Sequence, residues 1–251
     1  MAKIETVNVG DWNDFKSAVL NQLFEGDQFV NGRFIFRGQP SSDWKLESSF
    51  DRWFRSLSIK TPKIHALDQM LKIFHQECLD AGDVREEILN NETYLIALGQ
   101  HHGLPTPLLD WSVSPYIAAF FAYSSFLLNP KDAEFVSVWA IDTRCELWVK
   151  SSEWGKFNGV EIVDVPTVGN SRIRNQRGKF TLSRTAFLSL EDYVKDFSGD
   201  YTALWHFRLP ALDSPSALAD LDLMGINYSS IYPDLTGRAL NTKLRLIISQ
   251  R

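Results

Sequence analysis

An α+β fold is the architecture this sequence predicts, on three observations. Segments with strand-like alternation and segments with helical spacing are intermixed, without the regular βαβ order of a parallel sheet. Of the 251 residues, 44% are apolar and 13% aromatic, which is enough to pack a core. Glycines and prolines are scattered, and no repeat, low-complexity stretch or linker divides the chain. One compact domain over residues 1–251 is therefore expected.

The elements follow in chain order. Val9–Leu23 reads as a helix, with Asp11 placed to cap it and Phe15, Val19, Leu20 and Leu23 in one apolar stripe. Gly32 introduces Arg33–Arg37, a short strand with a β-branched and aromatic centre, which Gly38 and Pro40 end. From Pro62 to Leu79, Ile64, Leu67, Met70, Leu71, Phe74 and Cys78 recur at spacings of three and four, the mark of a helix burying one face. Gly82-Asp83 breaks it, and a second helix runs from Val84 to His101. The prolines of Gly103–Pro107 exclude helix, and Leu108–Ser112 reads as a strand. Ser114-Pro115 opens the next helix, with serine as cap and proline at the first helical position. That helix, Tyr116 to about Leu127, has no polar face and is expected to be buried on most sides. Strands follow at Glu134–Asp142, Val160–Val165, Lys179–Leu182 and Tyr201–Leu209. A helix over Leu218–Met224, stopped by Gly225, and another through Leu240 and Leu244 complete the chain.

Composition narrows the function. With 26 Lys+Arg against 31 Asp+Glu the net charge is −5, so any nucleic-acid affinity must come from a local patch. Cys78 and Cys145 are far apart and neither belongs to a CxxC pair, so neither a structural zinc site nor a disulfide framework is expected. Met1–Thr6 carries no apolar signal stretch. The longest apolar run, Tyr116–Leu128, is interrupted by Ser124 and Ser125 and falls short of the ~20 residues that span a bilayer. A soluble cytoplasmic protein without membrane association is expected. The phosphate loop GxxxxGK[ST], the dinucleotide GxGxxG, HExxH and GxSxG are all missing.

Three segments are denser in functional residue types than packing requires. In Phe36-Arg37-Gly38-Gln39-Pro40, an arginine closes an apolar strand, where a guanidinium can hold phosphate or carboxylate through paired hydrogen bonds. Gly38 allows close approach of a ligand to the backbone. The structural alternative pairs Arg37 with a carboxylate such as Asp110. The second segment, His101 to Pro115, holds two histidines, Asp110, Trp111, Ser112 and Ser114. Either histidine can serve as a general base or a polar ligand contact, or simply make a structural hydrogen bond. The third segment, Arg172 to Thr181, concentrates Arg172, Arg174, Gln176, Arg177 and Lys179. It reads either as a solvated basic loop or as a phosphate-contacting patch.

At these residues the sequence resembles the FRG-domain family, through Phe36-Arg37-Gly38 within FIFRGQPSSDWKLESSF. Family-like blocks continue at Tyr94–Ala122, at Arg174–Leu182 and at Leu223–Gly237, a span of about residues 30–240. The same pieces resemble, more distantly, the ADP-ribosyltransferases, which use NAD through three separated motifs. That resemblance implies a split mixed sheet flanked by helices. Phe36-Arg37-Gly38 is similar to the first motif, and Trp111–Pro115 with Ala118, Ala119, Phe120 and Ala122 to the second. Gln176 is placed as the third, with Glu161 as a fallback carboxylate. Val113 stands where the second motif has threonine, and glutamine where the third usually has glutamate.

The resemblance implies residue roles. Arg37, Gln176, His102 and Asp110 would be catalytic. Arg37, Gly38, Gln39, Trp111, Ser112, Ser114 and Tyr116 would hold NAD, with Trp111, Tyr116 or Phe120 as an aromatic wall for nicotinamide. Arg172, Arg174, Arg177 and Lys179 would contact a nucleic-acid or protein acceptor. No metal is expected. The activity implied is an NAD-dependent ADP-ribosyltransferase serving as a toxin or in antiviral defence, with a neutralising partner protein. Two other readings stand beside it: a non-catalytic nucleotide- or nucleic-acid-binding module, and a nuclease or hydrolase using His101, His102 and Asp110.

Overall fold

The computed structural model describes residues 2–25, 28–30, 32–57, 60–129, 132–153, 159–165 and 178–250. β1 (Lys3–Asn8) leads into α1 (Trp12–Leu23). Asp11 caps this helix by accepting from the Asp14 amide at 2.8 Å, and Phe15, Val19 and Leu23 face the core as their spacing predicts. A short hairpin, β2 (Phe24–Glu25) and β3 (Gln28–Phe29), precedes β4 (Phe34–Gln39). Next come α2 (Ser49–Ser56), α3 (Lys63–Ala81), α4 (Glu86–Leu89) and α5 (Glu92–His101). The helix expected over Val84–His101 is thus two. Asn91 ends its continuity because its side chain accepts from the Tyr94 amide and starts a new helix.

β5 (Leu108–Ser112) and α6 (Pro115–Leu128) follow, the helix opened by Ser114 and Pro115 as expected. The remaining elements are β6 (Phe135–Asp142), α7 (Glu146–Glu153), β7 (Val160–Val163), β8 (Gly178–Ser183), α8 (Leu190–Lys195), β9 (Thr202–Pro210), α9 (Ser214–Leu223), α10 (Tyr228–Ile231) and α11 (Leu235–Ser249). The architecture is α+β, as expected.

Seven strands form one mixed sheet in the order β1-β9-β6-β4-β5-β8-β7. Within it β1 and β9 run parallel and the other neighbours antiparallel. The sheet is not divided in two, but it parts at its centre. β4 pairs with β6 along its whole length, from Phe34↔Asp142 to Gln39↔Ser137. β5 pairs likewise with β8, from Leu108↔Leu182 to Ser112↔Gly178. Between β4 and β5 the register holds at one position, Phe36↔Ser112.

Three apolar clusters hold the layers together. α1, α6, α9, α10 and α11 pack Phe15, Phe120, Tyr123, Leu221 and Leu244 against Phe36, Val138 and Phe207 of the sheet. On the other face, Trp148 of α7 and Tyr193 of α8 pack with Ile35, Trp111 and Trp139. The third cluster joins Phe50, Leu67, Leu71 and Ile96 of α2, α3 and α5 to Leu108, Phe180 and Leu182 of β5 and β8. Beside it, Lys63 and Asp51 form a buried ion pair.

α6 lies unusually close to β4, and Gly38 is the reason. A Cβ at this position would sit 1.9 Å from the Ala118 carbonyl oxygen and 2.8 Å from the Ala122 amide nitrogen, both fixed helix backbone. Packing therefore requires glycine here independently of the ligand access expected of it. Gly38→Ala is expected to destabilise the fold by at least about 1–3 kcal/mol, the usual range for forced overpacking. Urea unfolding of the two proteins measures this directly.

Candidate functional site

The parting of β4 from β5 opens a cleft of about 1030 Å³. Its floor carries Arg37, Gly38 and Gln39 on one side and Asp110, Trp111 and Ser112 on the other. One wall is α6, through Phe121, Ser125 and Asn129, with Tyr232 beyond α10. The opposite wall is the connection from Pro40 to Glu47 followed by α2, which contributes Asp43, Trp44, Lys45, Glu47, Arg52 and Arg55. A second hollow of about 310 Å³ adjoins the first, and Arg37, Glu47, Arg52 and Asp110 line both.

Arg37 lies inside β4, which runs two residues further than its sequence suggests. Its side chain crosses the parting, and Nη1 donates to the Asp110 carbonyl oxygen at 2.7 Å. The Asp110 carboxylate is further away, 3.7 Å, and half exposed. That carboxylate is held from the other side by Gln100 Nε2 at 2.9 Å, while Gln100 Oε1 accepts from Thr106 Oγ1 at 2.7 Å. Arg37 thus has the structural partner expected of it, Asp110, and it also lines the cleft. Its Nε is buried with no hydrogen-bond partner. Burial lowers the guanidinium pKa, Asp110 opposes that shift, and the positive charge of Arg52 adds to it.

The second wall is built by contacts distant in sequence. Leu46 is buried, and its amide donates to both carboxylate oxygens of Glu191 at 3.0 Å. The Leu190 amide returns a bond to the Leu46 carbonyl at 3.1 Å. Lys45 Nζ bonds both oxygens of Asp192, at 2.9 and 3.1 Å, which holds that carboxyl below its ordinary range. The first turn of α8 thus fixes the chain at Lys45 and Leu46. Ser48 and Asp51 then form a reciprocal capping box that sets the direction of α2.

Several residues expected in the site do other work. Gln39 is buried and both ends of its amide are engaged: Nε2 donates to the Lys45 carbonyl at 3.1 Å and Oε1 accepts from Trp139 Nε1 at 3.0 Å. Trp111 is buried and donates to Thr181 Oγ1 at 3.0 Å, so it forms floor rather than an open aromatic wall. Ser114 is the cap of α6 and does not line the cleft. Tyr116 turns toward α1, where it meets Trp12 edge-on at 6.2 Å, and Phe120 is buried against Tyr228. A helix starting at Pro115 carries these side chains away from Ser112, close as they are in sequence.

His101 and His102 stack edge to face at the exposed end of α5, and neither lines the cleft. Lys179 pairs with Asp164 at 2.5 Å, away from the cleft. Glu161 lies within 3.8 Å of Arg184, also away from it. Arg172, Arg174, Gln176 and Arg177 lie outside the described residues. Among the described residues no group of His, Cys, Asp and Glu is arranged to hold a metal ion. No helix among them is long and apolar enough to cross a membrane.

The sequence reading missed Trp44, Lys45, Glu47, Arg52 and Arg55, a full wall of the site. Their signal was Ser48-x-x-Asp51, a capping pattern announcing a short helix. The aromatic surfaces open to the cleft are Trp44, 46% exposed, and Phe121 with Tyr232, whose rings lie 6.3 Å apart.

Behind the floor, Trp139 stacks flat on His206 at 3.9 Å. His206 is buried, its Nε2 lacks a partner, and desolvation with help from Arg208 pushes its pKa down to about 4. The unfolded chain, with an ordinary imidazole near 6.5, takes up this proton first. Stability is therefore expected to fall as pH drops from about 6.5 to about 4, by up to about 3 kcal/mol, and to lose nothing further through this group below that. His206→Phe, which keeps a stacking ring without a titrating group, is expected to flatten that part of the pH profile in denaturant titrations.

A model of the FRG domain matches residues 32–129. No curated protein matches the chain, nor does any solved structure. Every residue that lines the cleft falls inside the matched span except Tyr232. The blocks at Arg174–Leu182 and Leu223–Gly237 lie beyond it. Phe36-Arg37-Gly38 thus supplies a buried core ring, the bridging guanidinium and the glycine seated on α6, all within residues 32–129, the part of the chain that matches the FRG domain.

Proposed function

We propose that this FRG domain binds NAD in the cleft between β4 and β5 and transfers its ADP-ribose group to a nucleic-acid or protein acceptor. The observation that carries the reading is the convergence of Arg37 and Ser112, from two separate motifs, on one cleft. The fit rests on three features. Arg37 keeps a buried Nε–H without a partner, suited to a phosphate oxygen. The cleft is at the upper end of the volumes that hold cofactors. Trp44, Phe121 and Tyr232 offer aromatic surface for a nucleobase or a nicotinamide ring.

When bound, NAD supplies a ribose–nicotinamide bond whose cleavage releases nicotinamide with the bonding electron pair, while the acceptor nucleophile joins the ribose and gives up its proton. The chain's part is positioning and charge. Arg37 holds a phosphate, and Ser112 on the facing strand is placed for a ribose hydroxyl or the carboxamide. Glu47 replaces Glu161 as the carboxylate of the site. It is buried in the cleft wall and fixed by Arg55 Nη1 at 2.6 Å, where it can orient a ribose hydroxyl. A role in defence or toxicity, with a neutralising partner, belongs to the same reading.

The engagement of Glu47 by Arg55 also favours a second reading, nucleotide binding without catalysis. Calorimetric titration with NAD and an assay of nicotinamide release separate the two. Transfer predicts heat of binding and release of nicotinamide, both lost in Arg37→Ala, with affinity falling about tenfold or more. Arg37→Lys, which keeps the charge without the fork, recovers part of the binding. Binding without release supports the second reading; no heat at millimolar NAD contradicts both.

A further inference from the structure

Among the described residues four cations line the cleft, and they are not equivalent. Lys45 is closed by Asp192 and Arg55 by Glu47. Arg52 differs. Its Nη1 donates to the Glu47 carbonyl oxygen at 2.6 Å, and among the described residues it forms no ion pair with a carboxylate. Arg37 is nearly as open, since its contact with the Asp110 carboxylate is long and its Nε is unpartnered.

The capping box at Ser48 and Asp51 fixes the first turn of α2 and so the direction in which Arg52 leaves it. Phe50 and Asp51 turn inward, while Arg52 stays exposed on the wall shared by both hollows. Arg37 and Arg52 line the same two hollows, and the positive charge of Arg52 adds to the lowering of the Arg37 pKa. Two guanidiniums with spare donors, one on the floor and one on the α2 wall of the same hollows, gain most from an anion placed between them. Asp110 and Glu47 flank the pair. A bare polyanion would meet repulsion there. A phosphate joined to a ribose suits the arrangement, because its hydroxyls can donate to those carboxylates.

We propose that Arg52 is the second phosphate ligand of the cleft, forming with Arg37 a two-guanidinium site for the phosphate groups of a nucleotide. This deepens the nucleotide reading of the same cleft and does not depend on catalysis. The side chain of Arg52 is exposed and lies outside the apolar clusters, so its removal leaves the core intact.

The test is calorimetric titration of the full chain with ADP-ribose, and with adenosine as a probe lacking phosphate. Arg52→Ala is expected to weaken ADP-ribose binding about tenfold or more, Arg52→Lys to recover part of it, and neither to change the response to adenosine. Unchanged ADP-ribose affinity in Arg52→Ala overturns the proposal, as does an equal loss of adenosine binding, or no heat from wild type at millimolar ADP-ribose. Should Arg52→Ala lose its cooperative thermal transition, Arg52→Gln is judged by the same criteria. ADP-ribose binding that needs Arg52, without any nicotinamide release from NAD, upholds this site and removes the transferase reading. Nicotinamide release with Arg52→Ala binding ADP-ribose normally does the reverse.

Discussion

The Arg37 guanidinium bridges a sheet that has come apart at its centre, and the site depends on that bridge. β4 is committed to β6 and β5 to β8 along their lengths, yet the two pairs meet at Phe36 and Ser112 alone. One residue further on, a side-chain hydrogen bond from Arg37 to the Asp110 carbonyl stands where a backbone ladder bond would otherwise close the sheet. Arginine suits this position because it carries five donors in a rigid fork. One donor ties the strands together, and the buried Nε–H has no partner.

The walls follow from the same parting. Gly38 lets α6 settle directly on β4, so the helix that lacks a polar face becomes one side of the cleft, with Phe121, Ser125 and Asn129 on it. Beyond Gln39 the chain leaves the sheet and is pinned by Glu191 and Asp192 of α8 before α2 begins. The result is a cleft with one uncharged wall, aromatic at Phe121 and Tyr232, and one charged wall. Nucleotides ask for this combination, since they carry stacking rings at one place and phosphates at another.

Much of the fold was legible in the sequence because its helices carry local signals. Asp11, Ser114-Pro115 and Gly82 mark helix ends by mechanisms acting within a turn, and the spacing of apolar residues did the rest. The elements that escaped are short or lie at an edge: β1 has an irregular, mostly exposed pattern, α2 and α7 have eight residues each, α8 six, α10 four, and β2 and β3 two each. Periodicity needs more length than that to stand out. The site was half legible for the same reason. Arg37 and Ser112 announce themselves by motif, whereas Arg52 and Glu47 reach the cleft through a capping box and two carboxylates of a distant helix. Ser114, Tyr116 and His102 show the opposite error, because nearness in sequence does not survive the turn into or out of a helix.

The most direct test of the bridge-and-donor account is the Nε–H resonance of Arg37, followed by nuclear magnetic resonance as NAD is added and assigned through its loss in Arg37→Lys. The account predicts a progressive, saturating shift of that one signal, as the unpartnered donor acquires a phosphate oxygen. A signal that stays in place at millimolar NAD, in a protein whose other resonances report the folded state, contradicts it.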